Sequence, residues 1–313
     1  MSDSKFAIVF PGQGSQSVGM LGALAEAFPI VVETFKEASD ALGYDLWHLT
    51  CNGPAEELNQ TAKTQPAMLA AGVAVWRVWQ LQGGAAPKLM AGHSLGEYSA
   101  LVCAGALGFE DAVKLVAERG RFMQEAVPQG TGGMAAILGL DDDKVREVCA
   151  EAAKGEVVEA VNFNSPGQVV IAGGKAAVDR ACDLAKTAGA KRALPLPVSV
   201  PSHCALMKPA AERLSERLAG ISLKAPAIPV LHNVNVETAD SADAIGQLLA
   251  AQLYSPVRWV ETVEKMAAEG VGLLLEAGPG KVLAGLTKRI DRNLEGIAVF
   301  DPDTLAAALE RLK

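Results

Sequence analysis

The sequence predicts an α/β protein in two units. One is a larger α/β-hydrolase-like domain with a mostly parallel sheet, and the other a small ferredoxin-like domain inserted into it. Three observations predict this. Short apolar runs alternate with helical stretches, as in a parallel sheet whose strands are joined by helices. The middle of the chain switches to a β-α-β-β-α-β order. The 313 residues, 50% hydrophobic and 20% charged, are about twice the roughly 150 residues of one domain.

The elements follow in order. Phe6-Ala7-Ile8-Val9-Phe10 is continuously apolar, the pattern of a strand buried on both faces. Pro11-Gly12-Gln13-Gly14 stops it, and a helix follows near Met20–Phe28. Lys88–Ala91 reads as a second strand, with a helix over Glu97–Ala106 directly after it. A helix from about Asp111 to Ala126 carries an apolar stripe at Ala112, Leu115, Val116, Phe122 and Met123. Gly130-Thr131-Gly132-Gly133 then joins the two units, as a hinge or as a lip of the cleft. In the middle, Met134–Leu140 is a strand and Asp141–Ala153 a helix that opens on aspartates, favoured at a positive helix end. Val157–Asn162 is a strand, Asn164–Gly167 a turn, Gln168–Ala172 a strand, Lys175–Ala188 a helix and Lys191–Val198 a strand. Pro195 and Pro197 cannot donate to a ladder, so this strand is expected at an edge. Val271–Leu275 is a strand ending at Gly278-Pro279-Gly280, followed by a helix over Lys281–Ile290 and a last strand at Ile297–Phe300. The expected division is 1–127 with 200–313 for the large domain and 128–199 for the small one.

Composition narrows the function. A net charge of −8 argues against non-specific nucleic-acid binding, which needs a basic surface. The longest uncharged runs, such as Gln65–Trp76 and Tyr98–Phe109, fall short of the roughly 20 residues that span a bilayer. Met1-Ser2-Asp3-Ser4-Lys5 leads into an apolar run too short for a signal peptide. Five scattered cysteines with no CxxC pair read as reduced thiols, and a cytoplasmic protein without a zinc site is expected. Gly278-Pro279-Gly280-Lys281 lacks the upstream glycine and the Ser/Thr of a phosphate loop.

Gly92-His93-Ser94-Leu95-Gly96 matches G-x-S-x-G between an apolar strand and a helix, the setting of a nucleophile elbow. Such a turn lifts the serine hydroxyl above the sheet and aims the Leu95 amide at a developing oxyanion. Among four histidines, His93 adjoins the serine but is expected to face away from it. His48 reads as packed or surface and His232 as a satisfied histidine at a strand end. His203, in Val200-Pro201-Ser202-His203, precedes a helix-like stretch whose positive end disfavours an imidazolium, so it is the preferred base. The other histidines stay open, as does Cys204 as a competing nucleophile. Arg119 lies on the buried stripe of its helix, whereas Arg121 shares the opposite face with Lys114, Glu118 and Glu125. A guanidinium on an apolar face requires an anion, either a protein carboxylate or the carboxylate of a substrate.

These residues, taken with others, resemble the bacterial malonyl-CoA:acyl carrier protein transacylases from end to end. The resemblance rests on six segments in order: Pro11–Gln16, Gly92–Tyr98, Arg119–Gln124, Asn162 with Asn164–Gln168, Val200–His203 and Gln252-Leu253-Tyr254. It implies that Ser94 is acylated, that His203 is its base, and that the backbone amides of Gln13 and Leu95 form the oxyanion hole. It also implies that Arg119 holds the malonyl carboxylate and that a backbone carbonyl at Gln252 orients the histidine in place of an aspartate. Residue 162 is expected to line the cleft.

The implied reaction is ping-pong transfer of malonyl from malonyl-CoA to the phosphopantetheine thiol of acyl carrier protein in fatty-acid synthesis. It involves no metal or redox cofactor and no nucleic-acid or membrane partner. A serine thioesterase using the same pair is the alternative enzyme, and a silent carrier-binding module the non-enzymatic one. Because carrier proteins are acidic, docking requires a local basic patch, either Lys191-Arg192 or Lys288-Arg289 with Arg292.

Overall fold

Nine strands form two sheets among residues 5–198 and 200–313, the part of the chain that the computed structural model describes. The leader reading rests partly on Met1–Ser4, and position 199 closes the expected small domain; both lie outside the described residues. The strands are β1 (Phe6–Phe10), β2 (Leu89–Gly92), β3 (Gly132–Leu138), β4 (Val158–Ser165), β5 (Gln168–Gly174), β6 (Arg192–Pro195), β7 (Val230–Leu231), β8 (Leu273–Ala277) and β9 (Glu295–Val299). The first sheet has the order β7-β2-β1-β8-β9 and every pair is parallel. The second, β4-β5-β3-β6, is antiparallel, and with its two helices it has the expected ferredoxin-like topology. β6 is an edge strand, as Pro195 requires, and it ends there, short of the expected Val198 and before Pro197.

The alternation of side chains along β1 explains the layers. Phe6, Ile8 and Phe10 enter one core with the helices Ile30–Leu42, Thr61–Leu81 and Phe109–Ala126. Ala7 and Val9 enter another with Trp259, Val263 and Met266 of the Trp259–Ala268 helix. Both faces are therefore covered, which accounts for the unbroken apolar run. In the second sheet, Ala135 and Ile137 face the helices Asp142–Ala153 and Lys175–Thr187. Met134, Val170 and Ala172 face the opposite way and pack with Cys204.

The two sheets are stitched together at Val257. Its N–H donates to the Val161 carbonyl at 2.8 Å, and its carbonyl accepts from Phe163 N–H at 3.0 Å. Two expectations are corrected here. Gly132 and Gly133 are not linker; they lie in β3 opposite Gly174 and Gly173. β4 runs on through Asn164 and Ser165, with a register shift between Ala160 and Asn162, so the expected turn is tighter. Among the described residues, no helix is long and apolar enough to cross a membrane.

Candidate active site

The C-terminal ends of β1 and β2 open onto one pocket, where open parallel sheets gather their ligands. β2 ends at Gly92 and the Gly96–Cys103 helix begins almost at once, so the chain must reverse within three residues. Ser94 adopts φ +53° there, a left-handed conformation that costs a non-glycine residue about 1 kcal/mol or more. The flanking glycines are sterically required. A Cβ on Gly92 would lie 1.8 Å from the Gly96 carbonyl carbon, and one on Gly96 would lie 2.1 Å from the Phe10 carbonyl oxygen. The Asn233 side chain clamps the turn. Its Oδ1 accepts from Ser94 N–H at 2.7 Å, and its Nδ2 donates to the Gly92 carbonyl at 2.7 Å.

His203 Nε2 lies 2.7 Å from Ser94 Oγ. Its Nδ1 lies 2.8 Å from the Gln252 backbone carbonyl. A carbonyl can only accept, so Nδ1 carries the proton and Nε2 offers its lone pair to the serine hydroxyl. Burial, reinforced by the Arg119 cation, lowers the imidazole from 6.5 to about 3. A base must be neutral to work, and this environment keeps it so.

The other candidates separate clearly. His48 Nδ1 bonds Asn52 within its own helix. His232 is buried, with Nδ1 2.8 Å from Glu97 Oε1. His93 does border the pocket, which corrects the expectation that it faces away, but its Nε2 is engaged with Asn164 Oδ1 at 2.8 Å. Cys204 is fully buried, donates to the Pro201 carbonyl at 3.2 Å, and burial pushes its thiol up to about 12. It is not a nucleophile in this state.

Arg119 is 1% exposed and borders the same pocket. Its position follows from Gly120, where a Cβ would meet Thr61 O and Ala62 Cα at 2.7 Å, so two helices touch backbone to backbone. Nη1 donates to Gln65 Oε1 at 2.8 Å and Nη2 to Gln252 Oε1 at 3.0 Å. Among the described residues no carboxylate pairs with Arg119, and its buried Nε has no partner. The reading that it pairs with a protein acid is thereby disfavoured. Gln13 and Leu95 also border the pocket, and among the described residues neither backbone N–H meets a protein acceptor.

Sequence reasoning missed the support beneath these groups. Glu97, fully buried, accepts from His232 Nδ1, Asn233 N–H and Gln252 Nε2 at 2.8–2.9 Å. Gln252 Nε2 also donates to the Ser94 carbonyl at 3.1 Å. One glutamine therefore touches the Ser94 backbone, the His203 imidazole and the Arg119 guanidinium. No spacing in the sequence links residues 65, 97, 119, 233 and 252, because the sheet topology alone brings them together.

One pocket gathers a strained serine, a neutral buried imidazole and, among the described residues, two amides without a protein acceptor and a guanidinium without a carboxylate partner, which suits the α/β enzymes that transfer acyl groups through a serine. Residues 7–300 match the family described as acyl transferase domain. The chain is 65% identical over 307 residues to the malonyl CoA-acyl carrier protein transacylase of Escherichia coli (strain K12), covering 98% of this chain and 99% of that one. An acyl carrier protein S-malonyltransferase of Vibrio cholerae superposes with TM-score 0.95 at 64% identity, covering 97% and 99%. A malonyl-transacylase solved in complex with its type II PKS acyl-carrier protein gives TM-score 0.97 at 63% identity, covering 98% and 100%. The chain belongs to the malonyl CoA-acyl carrier protein transacylases within the acyl transferase domain family.

Proposed function

We infer that this chain transfers malonyl from malonyl-CoA to the phosphopantetheine thiol of acyl carrier protein in fatty-acid synthesis, in the cytoplasm. The observation that carries this is a buried cation with no carboxylate ion-pair partner among the described residues, sharing a pocket with the Ser94–His203 pair. In the first half-reaction Ser94 Oγ attacks the thioester carbonyl while His203 Nε2 takes the hydroxyl proton. The oxyanion lies between the Gln13 and Leu95 amides. The C–S bond breaks, His203 returns the proton to the sulfur, and free coenzyme A leaves a malonyl-serine. In the second half the carrier thiol gives its proton to His203 and attacks the ester carbonyl; the bond to Ser94 Oγ breaks and His203 returns the proton to that oxygen, regenerating the free serine. Arg119 holds the malonyl carboxylate throughout. The steps use no metal or redox cofactor.

The assignment of 1–127 with 200–313 as the catalytic domain and 128–199 as the small domain belongs to this proposal. Its support is that all the groups above come from the first set.

The test is intact-mass measurement after mixing the protein with malonyl-CoA. A malonyl adduct that persists without a thiol acceptor, and is absent from Ser94→Ala, is the expected result. An adduct that hydrolyses rapidly would identify a thioesterase instead, and no adduct a silent binding module.

A further inference from the structure

Arg119 is held in an unusual way for a buried cation. Guanidinium groups removed from water are ordinarily paired with carboxylates. Here both protein acceptors are amide carbonyls, those of Gln65 and Gln252. Gln252 is fixed from behind, its amino group engaged with Glu97 and the Ser94 carbonyl, whereas among the described residues the Gln65 amino group meets only Met123 Sδ, at 3.5 Å. A thioether is a weak acceptor, so the amino half of Gln65 gains little in place. Gln65 is itself 1% exposed. For the free protein, a carboxylate at this position would neutralise the cation and suit the site better than an amide.

We propose that Gln65 is a specificity-determining positioning residue: its neutral carbonyl anchors Arg119 without neutralising it, reserving the positive charge for an acyl group that ends in a carboxylate. This rests on the malonyl-transfer reading and adds to it the reason for an amide at position 65. Of the five guanidinium N–H donors, two are anchored by the glutamines. Among the described residues the buried Nε–H has no partner, and no carboxylate takes up the charge. Gln65 is the cleaner of the two anchors to change, because Gln252 also supports Ser94 and His203.

The experiment compares kcat/KM for malonyl-CoA and acetyl-CoA in the wild type, Gln65→Glu and Gln65→Leu, with melting temperature measured for each. In Gln65→Glu a carboxylate faces Arg119 and competes with malonyl, so the malonyl-to-acetyl ratio should fall about 100-fold. Gln65→Leu removes one anchor but leaves the charge, so the ratio should fall less than about tenfold. A ratio unchanged in Gln65→Glu overturns the proposal, as does an equal fall in both variants, which would make Gln65 an anchor only. A Gln65→Glu chain that fails to fold also counts against it, since the new carboxylate must be stabilised by Arg119. Malonylation of the wild type at Ser94, read by mass in the same samples, separates failure of this proposal from failure of the reading beneath it.

Discussion

Arg119 and His203 constrain one another at the scale of single residues. Burial is the largest of the forces that keep the imidazole neutral, the guanidinium comes next, and His93 adds to them. Arg119→Ala should therefore act twice. Malonyl transfer should lose about 3 kcal/mol, on the order of a hundredfold, because a charge-assisted contact to the carboxylate disappears. Acetyl transfer should lose far less; equal losses, measured as kcat/KM, would mean the arginine is merely structural. The His203 pKa, followed by NMR titration, should rise above about 3 yet stay below 6.5, since burial remains. The sign for stability follows. The unfolded chain takes up this proton near 6.5 and the folded one only near 3. The contribution of His203 is thus fully present above 6.5 and is lost progressively as pH falls through that window. At this scale much was legible. Ser94 announced itself through its glycines and strand–helix setting, and Arg119 through an apolar stripe. Gln65 and Asn233 did not, because an amide in an ordinary stretch carries no local sign of its partners.

The elements show what makes the elbow work. The Gly96–Cys103 helix can reach its position only because nothing projects from Gly96 toward Phe10 O. Gly96→Ala should push this helix away from β1 and move the Leu95 amide with it. A loss of about 1–3 kcal/mol from overpacking is expected in a denaturant titration. The acylation rate should drop at the same time, and an unchanged rate would show that the turn tolerates the shift. Several strands and helices were readable from periodicity, with ends misplaced by a few residues, but the amphipathic helices Ile30–Leu42, Ala242–Gln252, Trp259–Ala268 and Pro302–Arg311 went unread. The Thr61–Leu81 helix was not readable, because it is buried on nearly all sides and shows no stripe, and it carries Pro66 in its interior. β7, two residues long, is defined by pairing with β2 and a bridge from Leu231 to Thr238.

At the scale of the whole molecule, Arg289 of the second basic patch joins the first, while Lys288 and Arg292 do not line the same groove. Lys191, Arg192 and Arg289 line one groove, with Arg289 Nη1 donating to Gln168 Oε1 at 2.8 Å. Among the described residues none of the three forms an ion pair. In a chain of net charge −8, an acidic carrier has reason to dock there. Arg192→Glu with Arg289→Glu should raise the carrier-protein KM about tenfold and steepen no salt dependence of the coenzyme A half-reaction. Malonyl-enzyme formation from malonyl-CoA is the control, and a loss confined to that step would remove the groove as a carrier site. The ferredoxin-like topology was legible because its strands are consecutive in the chain. The stitch at Val257 was not, since it joins segments far apart in sequence.

The strand order β7-β2-β1-β8-β9 has a consequence for how the molecule is made. Synthesis proceeds from the N-terminus, so β1 and β2 leave the ribosome early, yet the neighbour on the other side of β1 is among the last segments to appear. Until β8 arrives, a row of backbone donors and acceptors on the most apolar strand has no partner within the chain. Ser94 is likewise translated long before His203 and Gln252, so a ribosome that stalls midway releases the elbow serine without the imidazole it hydrogen-bonds or the carbonyl that holds that imidazole.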